Sequence, residues 1–160
     1  MDAVARSLLD ASTLCAIATV SGSQAHINTA YFAWGDGFRV IWLSEPGAKH
    51  SRNVRRNRSA AIAVFDSRQS WGKPDRGIQL FGRARELSGK EAEEAEPIYA
   101  DRFPDYRRED NSAYAFYGLR PRSFKLFDEH ALGRGVFVTA RIAADGILVW
   151  QRTEVYQAVA

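Results

Sequence analysis

Val40-Ile41-Trp42-Leu43-Ser44-Glu45-Pro46-Gly47-Ala48-Lys49-His50-Ser51-Arg52-Asn53 is the stretch whose reading decides the fold. Its apolar opening reads as a strand, and the strand runs into a helix whose first turns carry positive charge. Ser44 is a good N-cap, and Pro46 suits the opening positions, where a missing N–H costs little. The spacing predicts a helix over Glu45 to Asn57, with Lys49 and His50 in its first two turns. A helix N-terminus already bears about half a positive charge. Cations there make sense if an anion, most often phosphate, sits at the free N–H groups. The stretch therefore points to a phosphorylated ligand.

Upstream, Val4, Ala5, Leu8 and Leu9 repeat at helical spacing, so a short amphipathic helix over Asp2 to Ala11 starts the chain. Thr13 to Val20 reads as an apolar strand ended by the turn cluster Ser21-Gly22-Ser23. Gln24 to Trp34 alternates loosely and meets Gly35-Asp36-Gly37, a hairpin signal, before Phe38 to Leu43. Downstream, Ser59 to Phe65 is a compact strand, and Asp66 to Asp75 is a loop holding Trp71-Gly72-Lys73-Pro74. Arg76 to Leu87 is a strand with Gly82 inside it, a mark of a bulge or a close backbone approach. Ser88 is expected to cap an acidic helix from Gly89 to Arg102. Tyr114 to Phe127 and Gly135 to Trp150 are late β segments, the second interrupted near Ala144-Asp145-Gly146. Six or seven strands with helices set between hairpins predict an α+β, mainly β, domain built on an antiparallel barrel.

With 160 residues, 46% hydrophobic and 26% charged, the chain suits one domain over 1–160. A formal charge of +3 favours anionic small molecules and falls short of the concentrated basic stripe of a nucleic-acid binder. Cys15 is the only cysteine, so no intrachain disulfide forms and a reducing, cytoplasmic setting is expected. It lies in the apolar run Leu14 to Ala18, where a thiol packs as a small hydrophobe. No secretory pattern and no apolar segment near the ~20 residues of a membrane span stands out. The histidines His26, His50 and His130 have no acidic or cysteine partner at ligand spacing, so no metal site is expected.

The order and spacing of several segments resemble the pyridoxamine-phosphate-oxidase-like family of flavin-binding split barrels. They are Leu14 to Val20, Ala25-His26-Ile27-Asn28-Thr29-Ala30-Tyr31-Phe32, and Val40 to Ser44 with Lys49 and Asn53-Val54-Arg55-Arg56-Asn57. Ser59 to Asp66 and Gly77 to Ala84 complete the set. The resemblance implies a six-stranded split β-barrel with flanking helices, working as a homodimer with FMN in a groove between subunits. It implies a phosphate held at Leu43, Ser44 and Lys49 with His50 beside it, an isoalloxazine along Asn28, Thr29, Ala30 and Tyr31, and Gln79 at the cofactor's border. Three departures point away from vitamin B6 as substrate. Gly47-Ala48-Lys49 stands where a Ser-Arg-Lys triplet is usual, removing a bidentate anion clamp. Ile27 and Asn28 stand where an arginine is expected, and the Arg-Leu-x-Pro ending gives way to Glu154-Val155-Tyr156-Gln157-Ala158.

Side chains keep alternative readings at this level. Lys49 is a phosphate ligand or part of a solvated basic face with Arg52, Arg55, Arg56 and Arg58. Trp71 covers an aromatic ring system or packs on a dimer neighbour, and Gln79 faces the flavin edge or solvent. Phe32, Trp34, Trp71 and Tyr106 are candidate pocket walls. The expected function is FMN-dependent hydride transfer through the flavin N5 with a small-molecule substrate. Its rivals are the same fold holding a deazaflavin or haem, and a non-enzymatic flavin-binding or accessory dimer. Nucleic acid and membrane are not expected partners.

Overall fold

Alternating burial along the first strands sets up a barrel. In the computed structural model, which describes residues 1–156, β1 (Leu14–Ser21) turns Cys15, Ile17 and Thr19 inward and pairs antiparallel with β2 (Gln24–Gly35). A tight turn at Asp36–Phe38 leads into β3 (Arg39–Ser44), and α2 (Lys49–Arg56) carries the chain on to β4 (Ser59–Phe65). Next come β5 (Arg76–Glu86), α3 (Lys90–Arg102) and β6 (Ala115–Asp128). The strands lie in the order β3-β2-β1-β4-β5-β6, and β6 pairs back onto β3, closing a six-stranded antiparallel barrel. That is the expected split barrel. After α4 (Glu129–Leu132), β7 (Val136–Ile142) and β8 (Leu148–Val155) form a hairpin that extends the sheet beyond β6. Gln157 to Ala160, the tail of the expected 1–160 domain, lie outside the described residues.

Two helices plug the barrel mouths and one shields its side. α1 (Asp2–Asp10) buries Ala5, Leu8 and Leu9 in the barrel core, and its Ser7 Oγ accepts a 2.9 Å bond from Arg76 at the start of β5. α2 crosses the opposite mouth, where Asn53 Nδ2 donates to Thr19 Oγ1 at 3.1 Å. Outside, α3 lays Ala95 and Tyr99 on Ala33, Ile41 and Phe116, covering the β2–β3–β6 side in a second apolar cluster. Among the described residues, no helix covers the outer face of β1, β4, β5 and the first part of β2. Leu14, Ile27, Tyr31, Phe65 and Phe81 on that face are 43–67% exposed.

Several local expectations change. α2 begins at Lys49, not Glu45: Pro46 and Gly47 make a turn in which the Ala48 amide donates to Glu45 O at 3.1 Å. Ser44 is therefore the last residue of β3, and Ala48 is the N-cap, without a side-chain bond. Ser88 does not cap α3 either; Gly89 does so at φ 53°, a left-handed position without cost for glycine. The late β segment splits into two strands at the expected Ala144-Asp145-Gly146 interruption, which makes eight strands among the described residues where six or seven were expected. Gly82 matches its expectation: the β5–β6 register shifts between Phe81 and Gly82, and a Cβ at Gly82 would meet Arg120 O at 2.2 Å. Among the described residues, no helix is long and apolar enough to cross a membrane.

Candidate functional site: the β2–β3 seam

The barrel is split along one seam. β2 and β3 pair only from Phe32↔Trp42 to Gly35↔Arg39. Among the described residues, β2 before Phe32 pairs with β1 on one edge and with no strand on the other, while Leu43 and Ser44 pair only with β6. The opening α2 crosses this gap, because the Pro46-Gly47 turn swings the chain from the end of β3 back toward the mouth. Two arginines of α2 brace the turn, Arg52 donating to Gly47 O and Arg55 to Pro46 O. Arg55 is further tied to Glu86 at 2.8 Å, and Tyr117 donates its hydroxyl to the same carboxylate at 2.9 Å. These two basic residues thus hold the loop rather than forming a free solvated face.

Period-two alternation sends His26, Asn28 and Ala30 of β2 inward, in register with Thr19, Ile17 and Cys15. Ser44 and Trp42 share the inward face of β3. Ser44, only 7% exposed, has its hydroxyl bonded to His50 Nε2, and His50 lies parallel to His26 with ring centroids 6.4 Å apart. Burial first, and then the proximity of His26, lower the pKa of His50, so its ring is held neutral. The Ser51 hydroxyl donates to Glu45 O at 2.8 Å. The amides of Lys49, His50 and Ser51 meet no acceptor among the described residues, as expected of a first turn whose N-cap has no side-chain oxygen. Lys49 itself is exposed and makes no ion pair among the described residues. Asn28 Oδ1 and Trp42 Nε1 are buried without a hydrogen-bond partner among the described residues. Trp42 is sealed in the core, so of the two only Asn28 Oδ1, on the strand that borders the seam, is placed to meet a ligand's donor.

Eight of the ten sequence-nominated residues border this seam: Asn28, Thr29, Ala30, Tyr31, Leu43, Ser44, Lys49 and His50. They divide by face. Asn28, Ala30, Ser44 and His50 look inward, whereas Thr29 and Tyr31 stand on the bare outer face, and Leu43 turns away toward the α3 cluster. Gln79 is exposed on the same outer face as Thr29, in the row Thr29–Ala16–Ala63–Gln79 across four strands. Trp71 is fully exposed in the β4–β5 loop, near the opposite mouth of the barrel from α2. An open groove of about 450 Å³ runs beneath that loop, lined by Ser12 to Ala16, Thr29 and Phe65 to Arg68.

The four candidate pocket walls do not meet. Phe32 is fully buried in the core, Trp34 stacks on Phe38 and donates to Asp10 at 2.9 Å, and Tyr106 packs against Tyr99 and Phe116. Phe32 and Trp34 share the inward face of β2 and the barrel core, whereas Tyr106 is held in the outer cluster under α3 and Trp71 stands in solvent. His26, named from the sequence among histidines without a partner at metal-ligand spacing, is the neighbour missed. Its two-residue spacing from Asn28 on one strand was the available signal.

The pyridoxamine 5'-phosphate oxidase family matches residues 1–127 of the chain. The chain belongs to that family. This split-barrel member is also similar to solved structures. One is a protein of unknown function, Atu2129, from Agrobacterium tumefaciens (18% identity, 78% of this chain and 55% of that one, TM-score 0.67). A second is described as a heme binding protein from Mycobacterium smegmatis (19%, 86% and 56%, 0.67). A third is described as a FAD-binding protein from Mesorhizobium loti (17%, 74% and 88%, 0.57). This family member spans little more than half the length of the first two proteins, and at such identities the likeness carries the fold alone. No curated protein matches the chain.

Proposed function

We propose that this member of the pyridoxamine 5'-phosphate oxidase-like family is a homodimeric FMN-binding oxidoreductase that uses the β2–β3 seam as its cofactor site. The observation that carries the reading is the seam itself: an open strand edge beside unpaired first-turn amides and an unpaired lysine. Lys49 and the amides of Lys49, His50 and Ser51 would hold the phosphate. The unpaired edge of β2 and Asn28 Oδ1 would meet the polar edge of a planar ring. Ser44 fixes the His50 ring, so that the imidazole would stand beside the phosphate instead of rotating into solvent. When bound, FMN supplies hydride transfer at N5 with a small-molecule substrate.

The homodimer is supported by the uncovered outer face. Its floor is Ala16, Ala18, Ala61 and Ala63, with Ala16 opposite Ala63 and Ala18 opposite Ala61, ringed by the exposed Ile27, Tyr31, Phe65 and Phe81. Small residues let a second sheet approach closely, and an apolar face of this kind marks an interaction surface. A two-fold axis crossing the strands would set the Trp71 loop and groove of one protomer against the α2 corner of the other.

The deciding test is an absorbance titration of purified protein with FMN. Binding with one FMN per chain is expected, weakened roughly tenfold, or about 1.4 kcal/mol, by Lys49→Ala. No spectral change at saturating FMN would overturn the reading. Reduction of the bound flavin by a nicotinamide donor separates an oxidoreductase from a storage module. A second reading, haem binding, is favoured by the parallel His26–His50 pair with its neutral His50 ring. It predicts a Soret band that shifts in His26→Ala and His50→Ala.

A further inference from the structure

On the barrel wall, away from the seam, a pocket of about 290 Å³ is lined by Arg39, Arg58, Arg83, Arg85, Arg120 and Arg122. Ala84, Leu87, Gly118 and Pro121 make up the rest of the lining, with no carboxylate among them. It shares no residue with the Ser44–Lys49–His50 corner.

This concentration of charge is built by the sheet. Arg83 and Arg120 are direct cross-strand partners on β5 and β6. Arg39 occupies the next position on β3, one step from the Val40↔Leu119 pair. Like charges placed directly opposite on neighbouring strands destabilise a sheet. The bulge at Gly82 adds to the cluster: Arg120 pairs with Arg83, Pro121 with Gly82, and Ser123 with Phe81, which leaves Arg122 as the extra residue in β6. Gly82 is required for this approach, because a Cβ there would collide with Arg120 O and Pro121 Cα.

Compensation from the protein is small. Glu91 on α3 pairs with Arg85 and reaches Arg120 at 3.4 Å. Arg39, Arg58, Arg83 and Arg122 make no ion pair among the described residues, and Arg39 Nη2 is buried without a hydrogen-bond partner. Of the six guanidiniums only Arg85 and Arg120 meet a carboxylate, that of Glu91, among the described residues, and one buried donor is orphaned, an arrangement that an entering anion would relieve.

We propose that this pocket binds a small organic phosphate carrying at least two negative charges. Planar guanidinium forks match phosphate oxygens in bidentate geometry, which a diffuse lysine patch would not do. The pocket's size suits a phosphate or pyrophosphate group rather than a polymer. Its continuation accommodates the remainder of a ligand: Arg39, Arg120, Pro121 and Arg122 also line an adjoining cavity of about 750 Å³. That cavity adds apolar Ile98 and Ile142 and the carboxylates Asp36, Glu94 and Asp145. The groove therefore runs from an all-cationic end to a mixed end whose acceptors suit hydroxyl or amino groups. The site is independent of the flavin reading.

The test is calorimetric titration of the full chain with inorganic pyrophosphate, with orthophosphate as the weaker probe. Binding of one pyrophosphate at this pocket is expected, weakened at least tenfold in the Arg83→Ala/Arg122→Ala double variant, with any further binding at the seam removed by Lys49→Ala. The same double variant, without anion, is expected to melt no lower than the parent, since like-charge repulsion is relieved, and to lose the pyrophosphate-induced rise in Tm. Absence of binding, several weak sites abolished together by salt, or equal binding by the double variant would each overturn the proposal. Tighter, arginine-dependent binding of a single-stranded oligonucleotide would overturn the small-ligand assignment. Loss of pyrophosphate binding in Lys49→Ala with the double variant unaffected would return the anion to the seam.

Discussion

His50 is the residue at which chemistry and stability meet. It sits beneath the turn with its Nε2 on Ser44, its ring along His26, and its pKa lowered by burial and then by His26. The sign of the consequence follows from linkage. Above pH 6.5 the ring is neutral in both folded and unfolded chains and contributes no pH dependence. As pH falls through 6.5, the unfolded chain takes up a proton that the folded chain resists, so stability drops until the lowered folded pKa is passed. Urea unfolding followed from pH 8 to pH 5 is expected to show this loss, and His50→Gln is expected to flatten it; an unchanged slope would remove His50 as its source. Cys15 makes the complementary case. Burial pushes its thiol up to about 12, so almost no thiolate forms at pH 8. Iodoacetamide is expected to leave Cys15 unmodified in the native protein and to label it fully in urea, as mass spectrometry would read directly.

At the scale of elements, the β5–β6 ladder is the part most sensitive to a single atom. Gly82→Ala places a methyl group 2.2 Å from Arg120 O, a backbone atom that cannot swing aside. Relief requires the two longest-paired strands of the barrel to separate at the bulge, at a cost on the order of 3 kcal/mol. A fall in the urea midpoint with unchanged m-value is the expected readout. The bulge was legible in the sequence because glycine inside a strand pattern has few other uses. The start of α2 was not. Ser44 and Pro46 satisfy the local rules for a cap and a first turn, yet Gly47 and Ala48 complete a separate turn and Ser44 is drawn inward by His50. Ser88 failed as a cap for a similar reason: Gly89, free to take φ 53°, makes the entry by backbone geometry alone. Local propensity names the residue types; which of them makes the bond is decided by packing from outside the segment.

For the whole molecule, an antiparallel barrel was legible from the strand patterns, the hairpin turns and the family resemblance, whereas the strand order, with its non-sequential β1–β4 and β3–β6 pairings, was not. Equally beyond reading was which face of the barrel α3 would cover. Its apolar side meets Ala33, Ile41 and Phe116, and that choice leaves the Ala16–Ala18–Ala61–Ala63 face open. A single protomer keeps the α2 corner and the Trp71 loop at opposite mouths, so assembly across the open face is what would join them. Ala63→Arg tests this without disturbing the core, because position 63 points out of the barrel in register with Ala16 and Gln79. An isolated Ala63→Arg chain is expected to keep its circular dichroism spectrum and melting cooperativity, since a guanidinium there projects into solvent. In a dimer the same group would be buried opposite alanine with no carboxylate to meet it, a cost of several kcal/mol per site. Light scattering is therefore expected to report a dimer for the parent chain and a monomer for Ala63→Arg, with FMN binding weakened in step. A parent chain that is monomeric at all concentrations would sink the shared-site arrangement, while a dimer that survives Ala63→Arg would move the interface to another face.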